Sequence, residues 1–253
     1  GHFGRGIAPT TDNFGKLGEA PTHPQLLDWL AADFIENGFS IKSLHRRILH
    51  SSAWQMSGRM NQAAFAADGD NRLLWRMNRR RLDAEPLRDA MLACAGRLDL
   101  AIGGTLFKAK AGEAAVDAYN KELATYDHPR RAIYLPVIRS AVYDMFQIFD
   151  FGDPAVVNPT RAETTVPTQA LFLMNNPYIN ARAREFANRI AGAGPGDADR
   201  EIRLAYEIAL ARPPSASELT RARKLISSSS SVDEGTRLFA QTLFCLNEFI
   251  YID

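Results

Sequence analysis

The chain has 253 residues, 46% of them hydrophobic, which is enough apolar material for a sizeable core in one large domain or two small ones that share an interface. Thirty Lys+Arg against twenty-nine Asp+Glu leave a net charge of +1, so the basic excess of a dedicated nucleic-acid or acidic-polymer binder is excluded. No apolar run approaches the roughly 18 residues that a membrane span requires, and the opening Gly-His-Phe-Gly lacks an initiator Met or signal sequence, as expected of an excised piece of a longer protein.

Helical signals then follow in chain order. Thr22-His-Pro-Gln25 has the form of a capping box with Pro in the first turn; Leu26, Leu27, Leu30 and Phe34 repeat at helical spacing behind it until Asn37-Gly38 stops the helix. Ser40 caps a second helix, whose Ile41, Leu44, Ile48 and Leu49 oppose Lys42, Arg46 and Arg47, and the short joint predicts a hairpin. Gly58 to Gly69 reads as a connection and Asn71 to Asn78 as a short helical stretch. Asp83 caps a longer helix with Leu87, Met91, Cys94 and Leu98 on one face, ended by Gly96, Gly103 and Gly104. Cys94 and Cys245 both sit among apolar residues and read as buried thiols.

From Thr105 to Asp127 the sequence alternates Ala, Gly, Lys and Glu, which suggests an exposed excursion. Arg131 to Ile138 is the one strand candidate, demoted to an edge by Pro136. Helices resume with Thr165 as a cap and a run through Met174; Asn176-Pro177 breaks it and starts the next, which turns Ile179, Ala183, Phe186, Ala187 and Ile190 inward. After the linker Gly192 to Gly196 come Asp199 to Ala211, Ser215 to Ser227 behind the box Ser215-Ala-Ser-Glu218, and Glu234 to about Tyr251. The fold class expected is mainly α, a multi-helix orthogonal bundle with at most a minor β-strand pair. It forms a single helical domain over 1–253, with a possible subdivision into 1–160 and 161–253.

Five segments in order carry a resemblance: His2-Phe-Gly-Arg-Gly6, Asp12 to Leu30, Asn71 to Glu85, Thr164-Thr-Val-Pro-Thr-Gln-Ala-Leu-Phe-Leu-Met-Asn-Asn-Pro177, and Leu246-Asn-Glu-Phe-Ile-Tyr-Ile-Asp253. Together they resemble the planctomycete-type cytochrome-c-associated C-terminal domain, domain-of-unknown-function family 1553, across nearly the whole chain. The resemblance implies a C-terminal module of a long exported bacterial protein, behind a cytochrome-c-like domain and a second uncharacterised one. It carries over no catalytic residues. No Cys-x-x-Cys-His haem site occurs, so no cofactor is expected in this chain and any haem belongs to another domain of the parent protein.

Candidate sites therefore rest on residue chemistry. The helix start at Thr165, with Arg161, Thr164, Thr168 and Gln169 around it, has the composition of an anion or carboxylate cradle, while caps and ion pairs explain the same residues structurally. Asp127, His128, Asp150 and Asp153 offer carboxylates and an imidazole for acid and base work, with Arg139 to hold a substrate anion. Asp12, Glu19 and His23 could reach a metal, but Thr22-His-Pro explains His23 as a first-turn residue. His45 and His50 lie five apart rather than three or four, so no metal site is expected. Arg76, Arg79, Arg80 and Arg81 beside Trp75 read as an internal salt-bridge network with Asp83, Glu85 and Asp89.

Two functional classes follow. One is a noncatalytic module that packs against other domains of the same polypeptide, outside the cytoplasm and with no nucleic-acid partner. The other is part of a hydrolase acting on extracellular polymers, a polysaccharide or other anionic ligand lying in a cleft near Arg139, Asp150 and Arg161.

Overall fold

Caps, apolar stripes and breakers place most of the helices where the sequence puts them. The structure is a computed structural model and describes residues 2–104, 106, 126–139, 141–158, 160–193 and 196–252. The excursion expected from Thr105 to Asp127 falls almost wholly outside those residues. The chain divides into two compact units, the first formed by 1–80 with short returns at 158–160 and 252–253, the second by 81–157 and 161–251.

In the first unit, α1 (Pro24–Glu36) begins with Pro at its first position, but its N-cap is His23 and makes no side-chain cap bond. The capping box expected at Thr22 does not form, because the Thr22 hydroxyl is taken by His23 Nδ1 at 2.9 Å and by the Ile7 carbonyl at 3.3 Å. α2 (Ile41–Leu49) starts as expected, with Ser40 Oγ accepting from Ser43 N. A short α3 (Gln62–Ala67), capped by Asn61, interrupts the segment read as plain connection.

Asn71 to Asn78 is not helical. Asn71 and Leu74 adopt positive φ (53° and 55°). The Asn71 side chain donates to the Arg76 carbonyl at 2.9 Å and to Asn78 Oδ1 at 2.8 Å, while Asp68 accepts from Arg72 N and Leu73 N. Short Asn and Asp side chains thus take the backbone partners that a helix would have used.

The second unit holds the core. α4 (Ala84–Cys94) buries Leu87, Met91 and Cys94, but it stops at Ala95, so Leu98 lies beyond it, after the turn that Gly96 makes at φ +69°. Within the strand candidate Arg131 to Ile138 the chain instead makes a 3-10 turn over Ala132–Tyr134. The Ala132 N–H is committed to the Asp89 carboxylate at 2.8 Å and Pro136 has none to give, so no ladder forms. A short α5 (Asp144–Ile148) precedes α6 (Pro167–Asn175) and α7 (Pro177–Ala193). α8 (Ala198–Leu210) and α9 (Ala216–Ser227) follow, the latter with both halves of the Ser215/Glu218 box in place.

The last helix expected, Glu234 to Tyr251, is two: α10 (Val232–Phe244) and α11 (Asn247–Ile250), parted where Leu246 turns extended. α7 and α10 form the centre of the core, where Phe186 stacks on Phe244 with ring centroids 5.7 Å apart. Gly235 lets α10 meet the end of α9, since a Cβ there would lie 2.5 Å from the Ile226 carbonyl oxygen. Two-residue strands, β1 (Arg80–Arg81) and β2 (Tyr251–Ile252), pair with each other. The fold is mainly α with that minor strand pair.

Candidate functional site

Of the residues marked in the sequence as a possible anion cradle, Thr164 bonds the carboxylate of Asp150 and Gln169 reaches the Thr164 hydroxyl at 3.4 Å. Asp150 follows α5 with φ +58°, a conformation that Asp tolerates better than most residues. It accepts from Arg81 Nη2 at 2.7 Å, from the Thr164 N–H at 2.8 Å and from the Thr164 hydroxyl at 2.9 Å. Arg81 also donates to the carbonyls of Thr164 and Phe149, and its N–H donates to Glu163 Oε1 at 2.6 Å. The Arg81 side chain is only 4% exposed and that of Asp150 14%. Burial works to raise the Asp150 acid, but the Thr164 N–H and the Arg81 guanidinium outweigh it and hold the carboxyl below its ordinary range.

The neighbours of this pair are engaged in the same way. Gln169 donates to the Ile148 carbonyl at 3.0 Å and accepts from Val166 N at 3.3 Å. Val166, not Thr165, is the N-cap of α6, since Pro167 fixes the first helical position; the Thr165 hydroxyl instead meets the Tyr251 hydroxyl at 3.1 Å. Arg161 makes a two-pronged bond to Glu85, at 2.6 and 2.8 Å, and lies over Phe151 with 4.8 Å between guanidinium and ring centre. Glu85 first, with Asp83 behind it and against the cost of burial, raises the Arg161 pKa, so the cation is locked in place. Arg139 stands apart: it is exposed and makes no hydrogen bond or ion pair among the described residues.

Several other polar residues singled out in the sequence are also occupied. His128 receives the Arg130 N–H on Nδ1 at 3.3 Å, and its carbonyl accepts from Arg88, which is fully buried and also donates to the carbonyls of Tyr126 and Arg130. Asp127 pairs with Arg182 at 3.2 Å. Glu19 pairs with Arg5, and no group of three or more His, Cys, Asp or Glu gathers as for a metal among the described residues. Within the arginine run, Arg81 pairs with the distant Asp150, while Arg76 lies over Trp75. Both cysteines are free; burial pushes the Cys94 thiol up to about 12 and raises Cys245, which makes them poor nucleophiles.

Sequence reading missed a cavity of about 490 Å³ in the first unit, between the N-terminal segment, α1, α2 and the turn after Asp70. Phe3, Leu26, Trp29 and Ile48 line it, with Arg5, Arg47, Arg72 and Asp70 among its polar walls. His2 Nε2 lies 2.8 Å from His45 Nδ1, and Trp54 packs edge-on against His2 and Phe3, fastening the segment that forms one wall. No local motif marks these residues, which come from four separate stretches.

No curated protein and no solved structure matches the chain. The family model described as PSD1, protein of unknown function (DUF1553), matches residues 1–226. That span contains both the cavity of the first unit and the polar cluster around Asp150, and it takes in four of the five segments that carried the resemblance, Leu246 to Asp253 lying beyond it. The chain belongs to the DUF1553 family.

Proposed function

We propose that this chain is a noncatalytic docking module of a longer exported, cytochrome-c-associated bacterial protein, and that its first unit packs against another domain of the same polypeptide. The observation that carries this reading is the lack of a core in that unit. Among its described residues only Asn71 and Met77 are buried, whereas Ile35 is 60%, Phe39 64% and Ile41 63% exposed. A unit of this size ordinarily hides such side chains, and a cluster of large exposed apolar residues marks a protein-contact surface. Covering each would contribute about 1 kcal/mol or more. α2 adds Lys42 and Arg46 beside Ile41 and Leu49, so an acidic rim around an apolar patch is the complementary surface.

The alternative, a hydrolytic cleft around Arg139, Asp150 and Arg161, requires those side chains to face a substrate. Asp150 is bonded to Arg81 and Thr164 and Arg161 to Glu85, so both are committed to holding the second unit together.

Hydrogen exchange of the chain alone and as part of the full parent polypeptide tests the docking reading. Amides of α1 and α2 are expected to gain strong protection in the full polypeptide. Equal protection in both would refute it.

A further inference from the structure

We propose that the cavity of the first unit is a binding site for an organic carboxylate with a flat apolar body. The proposal stands apart from docking, since it concerns the cavity's own walls and not the outward faces of α1 and α2. A volume of about 490 Å³ lies within the usual range for small-ligand pockets, roughly 300–1,000 Å³, and all the residues that form it belong to one unit. Its apolar wall is made of two aromatic rings, Phe3 and Trp29, and branched side chains such as Leu26 and Ile48. That surface favours a ring or a short hydrocarbon body over a sugar, which would need a denser set of hydrogen-bonding groups.

The charge on the wall selects the head group. Arg5, Arg47 and Arg72 are among the lining residues, and Asp70 is the one lining acid. Arg5 is joined to Glu19 by one nitrogen at 3.3 Å, and Arg47 to Asp33 at 2.8 Å while it lies over Trp29 at 5.4 Å. Arg72 differs. Its backbone N–H is anchored on Asp68, yet its guanidinium makes no hydrogen bond or ion pair among the described residues. Around the same wall the amide groups of Asn71 and Asn78 are consumed by backbone and by each other, Asn78 Nδ2 donating to the Phe3 carbonyl at 3.0 Å. Arg72, whose charge is felt by Asp68 but whose N–H donors are left open, is therefore the cavity cation able to take a carboxylate, beside the lining acid Asp70, which likewise makes no hydrogen bond or ion pair among the described residues. An apolar body against Trp29 and Ile48 with a carboxylate on Arg72 satisfies both halves of the site.

The test is calorimetric titration of the full chain with 2-naphthoate and with the neutral 2-naphthylmethanol. Saturable naphthoate binding, at least about tenfold tighter than that of the alcohol, is expected, and Arg72→Gln should weaken naphthoate about tenfold while leaving the alcohol unchanged. Arg72 is exposed, so the variant keeps its fold. Ile48→Trp fills the cavity without touching its charge and should abolish binding of both. The proposal is overturned by the absence of saturable naphthoate binding, by equal affinity for acid and alcohol, by an Arg72→Gln variant that binds naphthoate as the parent does, or by binding that survives Ile48→Trp.

Discussion

Replacing Asp150 with Ala removes three hydrogen bonds at once and strands the guanidinium of Arg81, which is 4% exposed and retains only the carbonyls of Thr164 and Phe149. Leaving a buried charge without its counterion costs about 3–5 kcal/mol, and the partial exposure of Asp150 brings this towards the lower end. A second contribution comes from the backbone. Asp150 sits at φ +58°, where Ala costs about 1 kcal/mol more than Gly. Asp150→Ala should therefore lose about 4 kcal/mol, Asp150→Gly about 3, and Asp150→Asn, which keeps an acceptor and tolerates the left-handed conformation, about 2. Urea unfolding followed by helix circular dichroism at pH 7 measures all three. The order Ala, Gly, Asn from worst to best separates the charge from the backbone contribution. A folded Asp150→Ala variant that loses less than about 0.5 kcal/mol would show that the carboxylate is not a structural keystone and is free for chemistry.

Gly235→Ala should destabilise by about 3 kcal/mol or more, because the new methyl would lie within 3 Å of the Ile226 backbone and force α9 and α10 apart; a neutral melting temperature would show that the approach is not tight. Arg88→Met should cost about 3 kcal/mol, since three carbonyls, of Tyr126, His128 and Arg130, lose their donor, and unfolding midpoints would decide it. The acid limb is set in part by Glu218, held down to about 2 from 4.5 by Arg212 and then, against burial, by the Ser215 N–H. Its folded value is depressed, so its contribution is complete above about 4.5 and is lost as the pH falls towards 2; Glu218→Gln should flatten stability across that window and nowhere else. Glu201 has the opposite sign. Burial, and then Asp197, raise its value, so Glu201→Gln should stabilise at pH 7 and the gain should vanish as the pH falls below the ordinary Glu range, about 4.

How far the sequence carried these conclusions depended on distance along the chain. Ser40 and the Ser215/Glu218 pair act within three residues, and both caps were legible. The cap at α6 was misplaced by one residue because Pro167 fixes the first turn and leaves Thr165 to bond Tyr251, 86 residues away. Asn71 to Asn78 had the apolar spacing of a helix but folded around its own Asn and Asp side chains, a local competition that spacing alone does not weigh. The polar cluster was legible as a set of residues and not as a set of pairs. Arg81 finds Asp150 across 69 positions and Arg161 finds Glu85 across 76, so the nearby acids suggested by composition were the wrong partners in the first case. The break after α10 and the cavity left no local signature, since an extended Leu246 and four converging stretches depend on tertiary packing.

The docking claim is tested most directly by mixing the purified chain with the rest of its parent protein and measuring association by sedimentation. The double variant Ile35→Glu, Ile41→Glu is compared with the parent chain; both side chains are exposed, so the substitutions leave the fold intact. The account predicts a complex with the parent chain and an affinity at least about tenfold weaker for the variant, as charges placed in an apolar contact lose well over 1.4 kcal/mol. No complex, or one indifferent to both substitutions, would contradict it.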